Sequence, residues 1–246
     1  LPVTGAGTRM MWIPELATFR AGHVTATGWT TIGLGSIALG YDSLASGNYD
    51  TVSGGLSNEA RGTNSFVGGG SANEANAAYS TSTGGVNNVA SGIYGTVGGG
   101  SSNIASATAS TVAGGSGNIA SGTYSFVGGG GGVGASQINT ATADRSTVAG
   151  GGNNDATEEG TTIGGGVNNT AAGQYSVVSG GHGNATDASA QYSSVLGGQT
   201  NSNGALGDWG TNLGGDHVTV NGDHSMAQGT NITVTGYVYN SGTTDG

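Results

Sequence analysis

The chain of 246 residues lacks cysteine and lysine, has only two prolines, and contains few charged residues. Without cysteine there are no disulfide bonds, and cysteine usage cannot indicate a redox compartment. The cations are Arg9, Arg20, Arg61 and Arg145, against a formal net charge of −10. This acidic balance argues against nucleic acid or an anionic membrane as a partner.

A repeat of 15 residues organises most of the chain. Its phase marker is a small apolar residue such as Val52, which recurs every 15 residues apart from one step of 21 and one of 17. A period this regular is typical of a solenoid. The marker positions are Ile37, Val52, Val67, Ser82, Val97, Val112, Val127, Val148, Ile163, Val178 and Val195.

Four other features keep phase with the marker. A Gly-Gly pair begins two residues after it, an asparagine stands six after it, a small apolar residue eight after it, and often a tyrosine twelve after it. The asparagines are Asn58, Asn73, Asn88, Asn103, Asn118, Asn154, Asn169, Asn184 and Asn201. The small apolar residues are Ala45, Ala60, Ala75, Ala90, Ala105, Ala120, Ala156 and Ala171, and the tyrosines are Tyr49, Tyr79, Tyr94, Tyr124 and Tyr175.

This pattern predicts an all-β fold. Fifteen residues are too few for a helical hairpin, and glycine within a helix costs about 1 kcal/mol relative to alanine. The alternation Ser/Thr-x-Val-x-Gly indicates a short strand, and we expect Gly-Gly and Asn to supply the positive-φ turn residues. One repeat is then one coil of two strands and two turns, stacked on the next at about 4.8 Å in a parallel β-solenoid.

Each phase position then becomes a column of like residues. The valines and alanines fill a thin interior, and the asparagines bond amide to amide, so we interpret them as structural rather than ligand-binding. The tyrosines are a surface ladder, a subunit contact or a binding platform. Because one coil buries little more than one valine and one alanine, we expect further burial between chains in an obligate oligomer.

Residues 36–47, Ser-Ile-Ala-Leu-Gly-Tyr-Asp-Ser-Leu-Ala-Ser-Gly, resemble the Ser-Val-Ala-Ile-Gly-x-x-Ala-x-Ala-x-Gly repeat of trimeric autotransporter adhesin heads, the YadA-like heads. Related repeats occur in phage tail-fibre and tail-spike proteins. The resemblance extends over residues 30–229 and implies a left-handed β-roll, a homotrimer, and display outside a cell or on a virion. From Val52 onward glycine replaces the second apolar residue of the family pattern.

The ends and one insertion interrupt the repeat. Residues 1–29 are rich in bulky apolar side chains and predict an N-terminal cap over the first coil, while 30–229 hold the repeats. Alternating residues in 230–246 (Ile232, Val234, Tyr237, Val238 and Tyr239) predict a closing strand, after a decay of the period beyond Gly198. Six extra residues near 128–146 predict a loop. That loop and smaller protrusions at 187–191 and 200–206 are candidate binding epitopes.

Chemistry-bearing motifs are sparse. The repeated Gly-Asp-His at Asp216, His217, Asp223 and His224 is a weak candidate metal site, and the competing interpretation is surface polarity at the end of the solenoid. No nucleophile elbow is present in the sequence. We expect neither an enzyme nor a bound cofactor.

Four functions remain open. We expect first an adhesive head that binds a host glycan or protein; the others are a self-assembling extracellular filament or sheath, a phage tail-fibre receptor-binding module, and an ice-binding solenoid. The last rests on the residues just before the marker, which are often threonine. These are Thr51, Thr81, Thr96, Thr111, Thr147, Thr162 and Thr211, with Phe66, Phe126 and Val177 as interruptions.

Overall fold

The computed structural model describes residues 5–25, 31–132 and 137–236. These residues form an all-β parallel solenoid of about 14 coils of about 15 residues each. The chain divides into two compact units, Leu1–Ile138 and Asn139–Gly246. Part of the predicted insertion loop (133–136) and the predicted strand residues Tyr237, Val238 and Tyr239 lie outside the described residues.

The first unit begins with two long strands and continues as coils with strands of mostly two residues. Its elements are β1 (Gly7–Ile13), a 3-10 helix (Pro14–Leu16), β2 (Thr18–Val24), β3 (Ile37–Tyr41), β4 (Leu44–Ala45), β5 (Thr51–Val52), β6 (Glu59–Ala60), β7 (Phe66–Val67), β8 (Glu74–Ala75), β9 (Thr81–Ser82), β10 (Val89–Ala90), β11 (Thr96–Val97), β12 (Ile104–Ala105), β13 (Thr111–Val112), β14 (Ile119–Ala120) and β15 (Phe126–Val127).

The second unit repeats the same alternation of short strands. Its elements are β16 (Thr140–Ala141), β17 (Thr147–Val148), β18 (Asp155–Ala156), β19 (Thr162–Ile163), β20 (Thr170–Ala171), β21 (Val177–Val178), β22 (Ala185–Thr186), β23 (Ser194–Val195), β24 (Ser202–Asn203), β25 (Thr211–Asp216), β26 (Thr219–Val220), β27 (Met226–Thr230) and β28 (Thr233–Val234).

Each coil gives one strand to each of two parallel sheets. In the first sheet Val97 pairs with Val112, and in the second Ala90 pairs with Ala105. Within a strand the alternating residue direction turns one residue inward and its neighbour outward, so Val97 is fully buried while Thr96 is half-buried. The predicted valine and alanine columns therefore exist, and from Val52 and Ala45 onward their members are fully buried. The prediction of a parallel solenoid is confirmed.

One marker was misplaced. Ile37 was predicted to begin the valine column, but Ile37 pairs with Thr51, and Ala38 pairs with Val52. Ala38 is buried and Ile37 is exposed. The first coil is one residue shorter than the others, and a one-residue change of register exchanges the inward and outward faces of a strand.

The coils continue where the sequence period decays. Asn212 and Ala227 occupy the valine column after Val195, and Val220 occupies the alanine column. Strand β28, in the segment predicted to close the C-terminal end, pairs parallel with β26. The described part of that segment therefore extends the coil instead of crossing it.

The predicted N-terminal cap forms a hairpin in its described part. Strands β1 and β2 pair antiparallel through seven residues each, and β2 continues parallel into β3. Arg20 is buried beneath this hairpin, where its guanidinium donates hydrogen bonds to the carbonyls of Thr31 (3.1 Å) and Ser43 (3.0 Å). Burial lowers the pKa of Arg20 to about 10, so the side chain remains charged at neutral pH. Met10 and Trp12 are exposed on the outer strand.

Candidate functional site

The asparagine column is a buried hydrogen-bond network. The Asn88 amide nitrogen donates to the carbonyls of Gly84 (2.8 Å) and Gly100 (2.9 Å), and its Oδ1 accepts the backbone N–H of Asn103 at 3.0 Å. The predicted amide-to-amide contact also occurs, for example from Asn88 to Asn73 at 3.1 Å. Both ends of the amide are therefore occupied by the scaffold, which favours the structural interpretation of this column.

The turn residues differ in part from the prediction. The glycine pairs do adopt positive φ, as at Gly99 (145°) and Gly100 (91°). The column asparagines do not, and the expectation that they would was wrong. The left-handed conformation belongs to the residue before each of them, such as Ser102 (φ 57°), and to the tyrosine position, such as Tyr94 (φ 58°). The asparagine itself must stay extended so that its amide reaches the backbone inside the coil.

A second polar column lies two residues before each valine. It is occupied mostly by buried serine, whose hydroxyl bonds within its own turn, as in Ser80 to the Ala77 carbonyl at 2.7 Å. Asp50 is the exception. Its carboxylate accepts the N–H and the hydroxyl of Ser65 (both 2.9 Å) and the N–H of Gly47 (2.8 Å). Burial raises the pKa of Asp50, and these hydrogen bonds oppose the shift.

The tyrosine column lies on the outside, one residue before this serine column, and its members share a left-handed backbone. Tyr79 and Tyr94 stack with ring centroids 5.0 Å apart. In the second unit Tyr192 stacks on Tyr175 at 5.4 Å and on Trp209 at 4.4 Å, and His224 follows Trp209 at 6.1 Å. Sequence analysis missed the last three of these rings because coils of 17 residues shift the count; counting three back from Val195 locates Tyr192.

Stacking decides what these rings can do. A ring inside the stack of Tyr175, Tyr192, Trp209 and His224 has its faces against neighbouring rings and leaves only its edge to solvent. Offset-stacked pairs of this kind stabilise by about 0.5–1.5 kcal/mol each. Of the three interpretations of the tyrosines, this geometry favours the surface ladder wherever the column is continuous.

Charge is distributed unevenly around the coil. In the first unit the residues from the threonine position to the position before the asparagine carry no charge; these are 51–57, 66–72, 81–87, 96–102, 111–117 and 126–132. We call this surface the uncharged face. The Arg61 guanidinium instead pairs with Glu59 and lies 3.9 Å from Glu74, both on the second sheet.

The threonine column lies on the uncharged face. Its members are half-buried and point outward, as the ice-binding hypothesis requires. Phe66 and Phe126 interrupt the column, so its longest run in the first unit is Thr81, Thr96 and Thr111.

The four weak metal candidates form two separate pairs. His217 Nδ1 lies 2.6 Å from Asp216 Oδ1, and His224 Nδ1 lies 3.8 Å from Asp223 Oδ1. Within residues 5–25, 31–132 and 137–236, no three His, Cys, Asp or Glu side chains come together in a way that would hold a metal ion. The arrangement gives no support to a metal site at these positions.

The protrusions predicted at 187–191 and 200–206 flank coils of the second unit. Asp187 accepts hydrogen bonds from the N–H (3.0 Å) and hydroxyl (2.7 Å) of Ser189, and these bonds lower its pKa. Nearby, Leu206, Asp208, Asn221 and Asp223 line a pocket of about 240 Å³. Sequence reasoning did not identify this pocket, because its walls come from two coils that share no motif.

The fold places the chain among parallel β-solenoid repeat proteins. In comparisons with known proteins, no family model matches the chain and no curated protein matches its sequence. The described residues include no helix with the length and apolar character needed to cross a membrane.

Proposed function

We propose that this chain is a non-enzymatic module, displayed outside a cell or on a virion, that attaches to a surface glycan or protein. The observation that carries the proposal is the uncharged face of the first unit. Its outward residues, such as Thr96 and Thr111, recur at one-coil spacing on a scaffold whose interior polar groups are bonded to one another. A rigid face without charge suits a neutral partner.

Repetition is the second argument. Each coil presents nearly the same small group, and contacts that are individually weak gain avidity when several are made at once on a rigid array. A partner that is itself repetitive, such as a polysaccharide or a crowded receptor layer, uses this property best.

The resemblance of residues 36–47 to adhesin heads and phage tail-fibre repeats supports display outside a cell or on a virion. It also supports assembly of three copies, which is the expectation carried by the thin interior. We therefore include a homotrimer in the proposal, to be measured by light scattering at micromolar concentration.

Binding to an array of neutral and acidic glycans tests the proposal, using the purified full chain at about 0.05 and 0.5 M salt. We expect binding to neutral glycans that changes little with salt, because no charged side chain lies on the uncharged face. Binding that is confined to acidic glycans and falls steeply with salt would contradict the proposal, as would failure to bind any glycan or intact cell.

Two matched variants locate the interface. Thr96→Glu places a carboxylate on the uncharged face and should abolish binding. Ile104→Glu places one on the second sheet, in the column where Glu59 and Glu74 already stand, and should preserve it. Light scattering on both variants separates loss of binding from loss of self-association.

Self-assembly into a filament or sheath is the second candidate, and the free edge of β1 favours it. Within the described part of the chain, β1 pairs only with β2, and it carries exposed Met10 and Trp12. A long apolar edge strand is a template for another chain. Electron microscopy distinguishes the candidates: unbounded fibres support the filament, and discrete particles support the head.

A further inference from the structure

The tyrosine column of the first unit misses one ring. Its members are Tyr49, Asn64, Tyr79, Tyr94, Ala109 and Tyr124, and all have φ between 54° and 61°. Ala109 therefore has the backbone of a ring-bearing position without the ring. Tyr94 lies one coil before it and Tyr124 one coil after it, and no described ring stacks on Tyr124.

Spacing defines the size of this gap. Two coil steps of about 4.8 Å separate the Tyr94 and Tyr124 positions by about 9.6 Å. The neighbouring pair Tyr79 and Tyr94 shows that one ring occupies 5.0 Å along this column. The gap above Ala109 therefore has the height of a single additional ring, which would lie at stacking distance from both tyrosines.

Exposure shows that the gap is open. Tyr124 exposes 66% of its surface and Tyr94 exposes 56%, whereas Tyr192, which has a ring on each side, exposes 43%. Tyr49, which lies directly over Gly35, exposes 55%. Tyr124 is the most exposed tyrosine of the described chain, so its ring has not collapsed onto Ala109.

We infer that Tyr94 and Tyr124 form a slot, with Ala109 as its floor, that binds one ring of a neutral sugar. The inference rests on the proposed surface attachment and names the ligand class of one site. A pyranose presents axial C–H groups on its faces, and these pack on aromatic rings, whereas its hydroxyls project from its edge toward solvent. The slot offers two aromatic faces to one ring.

The surroundings select a neutral ring. From Ala75 to Ala143 the sequence contains no Asp, Glu, Lys, Arg or His, so no charge in that segment pairs with an anionic or cationic ligand. Thr108, exposed beside Ala109, places a hydroxyl at the rim of the slot. The other interrupted position, Asn64 between Tyr49 and Tyr79, is filled by a longer polar side chain and serves as an internal comparison.

Ring NMR signals of tyrosine test the slot. The full chain with isotope-labelled tyrosine is titrated with the methyl pyranosides of glucose, galactose, mannose and N-acetylglucosamine. We expect saturable shifts of the Tyr94 and Tyr124 signals at about 1–10 mM sugar, the affinity of a small ring held by two faces. The Tyr49 and Tyr175 signals should not move.

Filling the gap is the decisive variant. Ala109→Tyr adds the missing ring and should abolish the sugar-dependent shifts while keeping or raising the melting temperature. Ala109→Ser leaves the slot open and should retain them. Tyr94→Phe keeps the aromatic face and should bind, whereas Tyr94→Ala should not, which preserves the test if Ala109→Tyr fails to fold.

Shifts that persist in Ala109→Tyr, or the absence of shifts with all four sugars, would overturn the slot. Glycan-array binding that survives in Ala109→Tyr without ring shifts would leave the surface attachment standing and refute this site. Ring shifts in a chain that binds no array glycan and no cell would do the reverse.

Discussion

Residues 51–132 and residues 177–234 follow the same coil with different interiors. In the first stretch the valine and alanine columns are nearly unbroken, with Ser82 as the exception. In the second, Thr186, Asn203 and Asn212 are fully or almost fully buried in those columns. The strands still pair in parallel register through both stretches.

The polar residues of the second stretch come with partners. Asn212 donates to the carbonyl of Val218 (2.8 Å) and accepts the N–H of Gly214 (3.1 Å), and Thr186 Oγ1 contacts the hydroxyl of Ser176 at 2.7 Å. Ser82 in the first stretch has a buried hydroxyl without a hydrogen-bond partner. The comparison teaches that the coil depends on its hydrogen-bonded turns and backbone more than on an apolar interior.

The asparagine column is common to both stretches, and its loss should have the largest effect. Asn88→Ala removes the acceptor for the Asn103 N–H and the donor to two glycine carbonyls. We expect a loss of about 2–4 kcal/mol in the free energy of unfolding, because buried polar groups lose their partners. Urea denaturation followed by circular dichroism measures it.

The control is the adjacent residue. Asn87 is exposed, and Ala72 occupies the same turn position one coil earlier with the same left-handed backbone. Asn87→Ala should therefore change the unfolding free energy by less than about 1 kcal/mol. Equal effects at residues 87 and 88 would refute a structural role for the column.

Valine at the two polar marker positions should give opposite results. Ser82→Val replaces an unpartnered hydroxyl between Val67 and Val97 and should stabilise the fold by about 1–2 kcal/mol. Asn212→Val leaves the Val218 carbonyl and Gly214 N–H without their partner and should destabilise it by about 1–3 kcal/mol. Thermal melts of both variants, and the same sign for both, would show that the partners of Asn212 are unimportant.

The aromatic stack of the second stretch can be broken at its centre. Tyr192→Ala removes the ring between Tyr175 and Trp209, and we expect a loss of about 1–2 kcal/mol from two stacked pairs. Tyr124→Ala removes a ring without a described stacking partner and should cost less. A larger loss at Tyr124 would contradict the stacking account.

Asp50 gives the smallest effect and a pH dependence. Because burial raises its pKa, the folded state binds a proton more tightly than the unfolded state, so the carboxylate lowers stability as pH rises above its ordinary pKa. Asp50→Ser restores the usual residue of the column and should add about 1 kcal/mol at pH 7 but little at pH 3. A gain that is the same at both pH values would show that the charge of Asp50 is irrelevant.

Periodicity predicted the coil, the two parallel sheets and the columns that Val52, Ala60 and Asn58 begin. It misplaced Ile37 because Ile37 and Ala38 are both apolar, and the sequence does not show that one coil is a residue shorter. It lost the coil beyond Gly198 because Asn212 and Ala227 break the residue type of the column while keeping its position.

The side-chain contacts of the candidate site were not predictable in the same way. The tyrosine spacing predicts a column, but whether its rings stack depends on the residue one coil away. Ala109, Asn64 and Gly35 each change what a neighbouring tyrosine meets. A buried aspartate at residue 50, in a serine column, was a signal available in the sequence that the alternation of Ser and Val already implied.

Disulfide trapping tests the central claim most directly, because the chain has no cysteine of its own. Thr81 and Thr96 are paired across adjacent coils, whereas Thr96 and Ile104 are closer in sequence and lie in different sheets. Paired strands bring Cα atoms within the 4.4–6.8 Å that a disulfide spans. Under mild oxidation, Thr81→Cys with Thr96→Cys should form an intrachain disulfide, and Thr96→Cys with Ile104→Cys should not. Crosslinking of the second pair but not the first would contradict the assignment of one repeat to one coil.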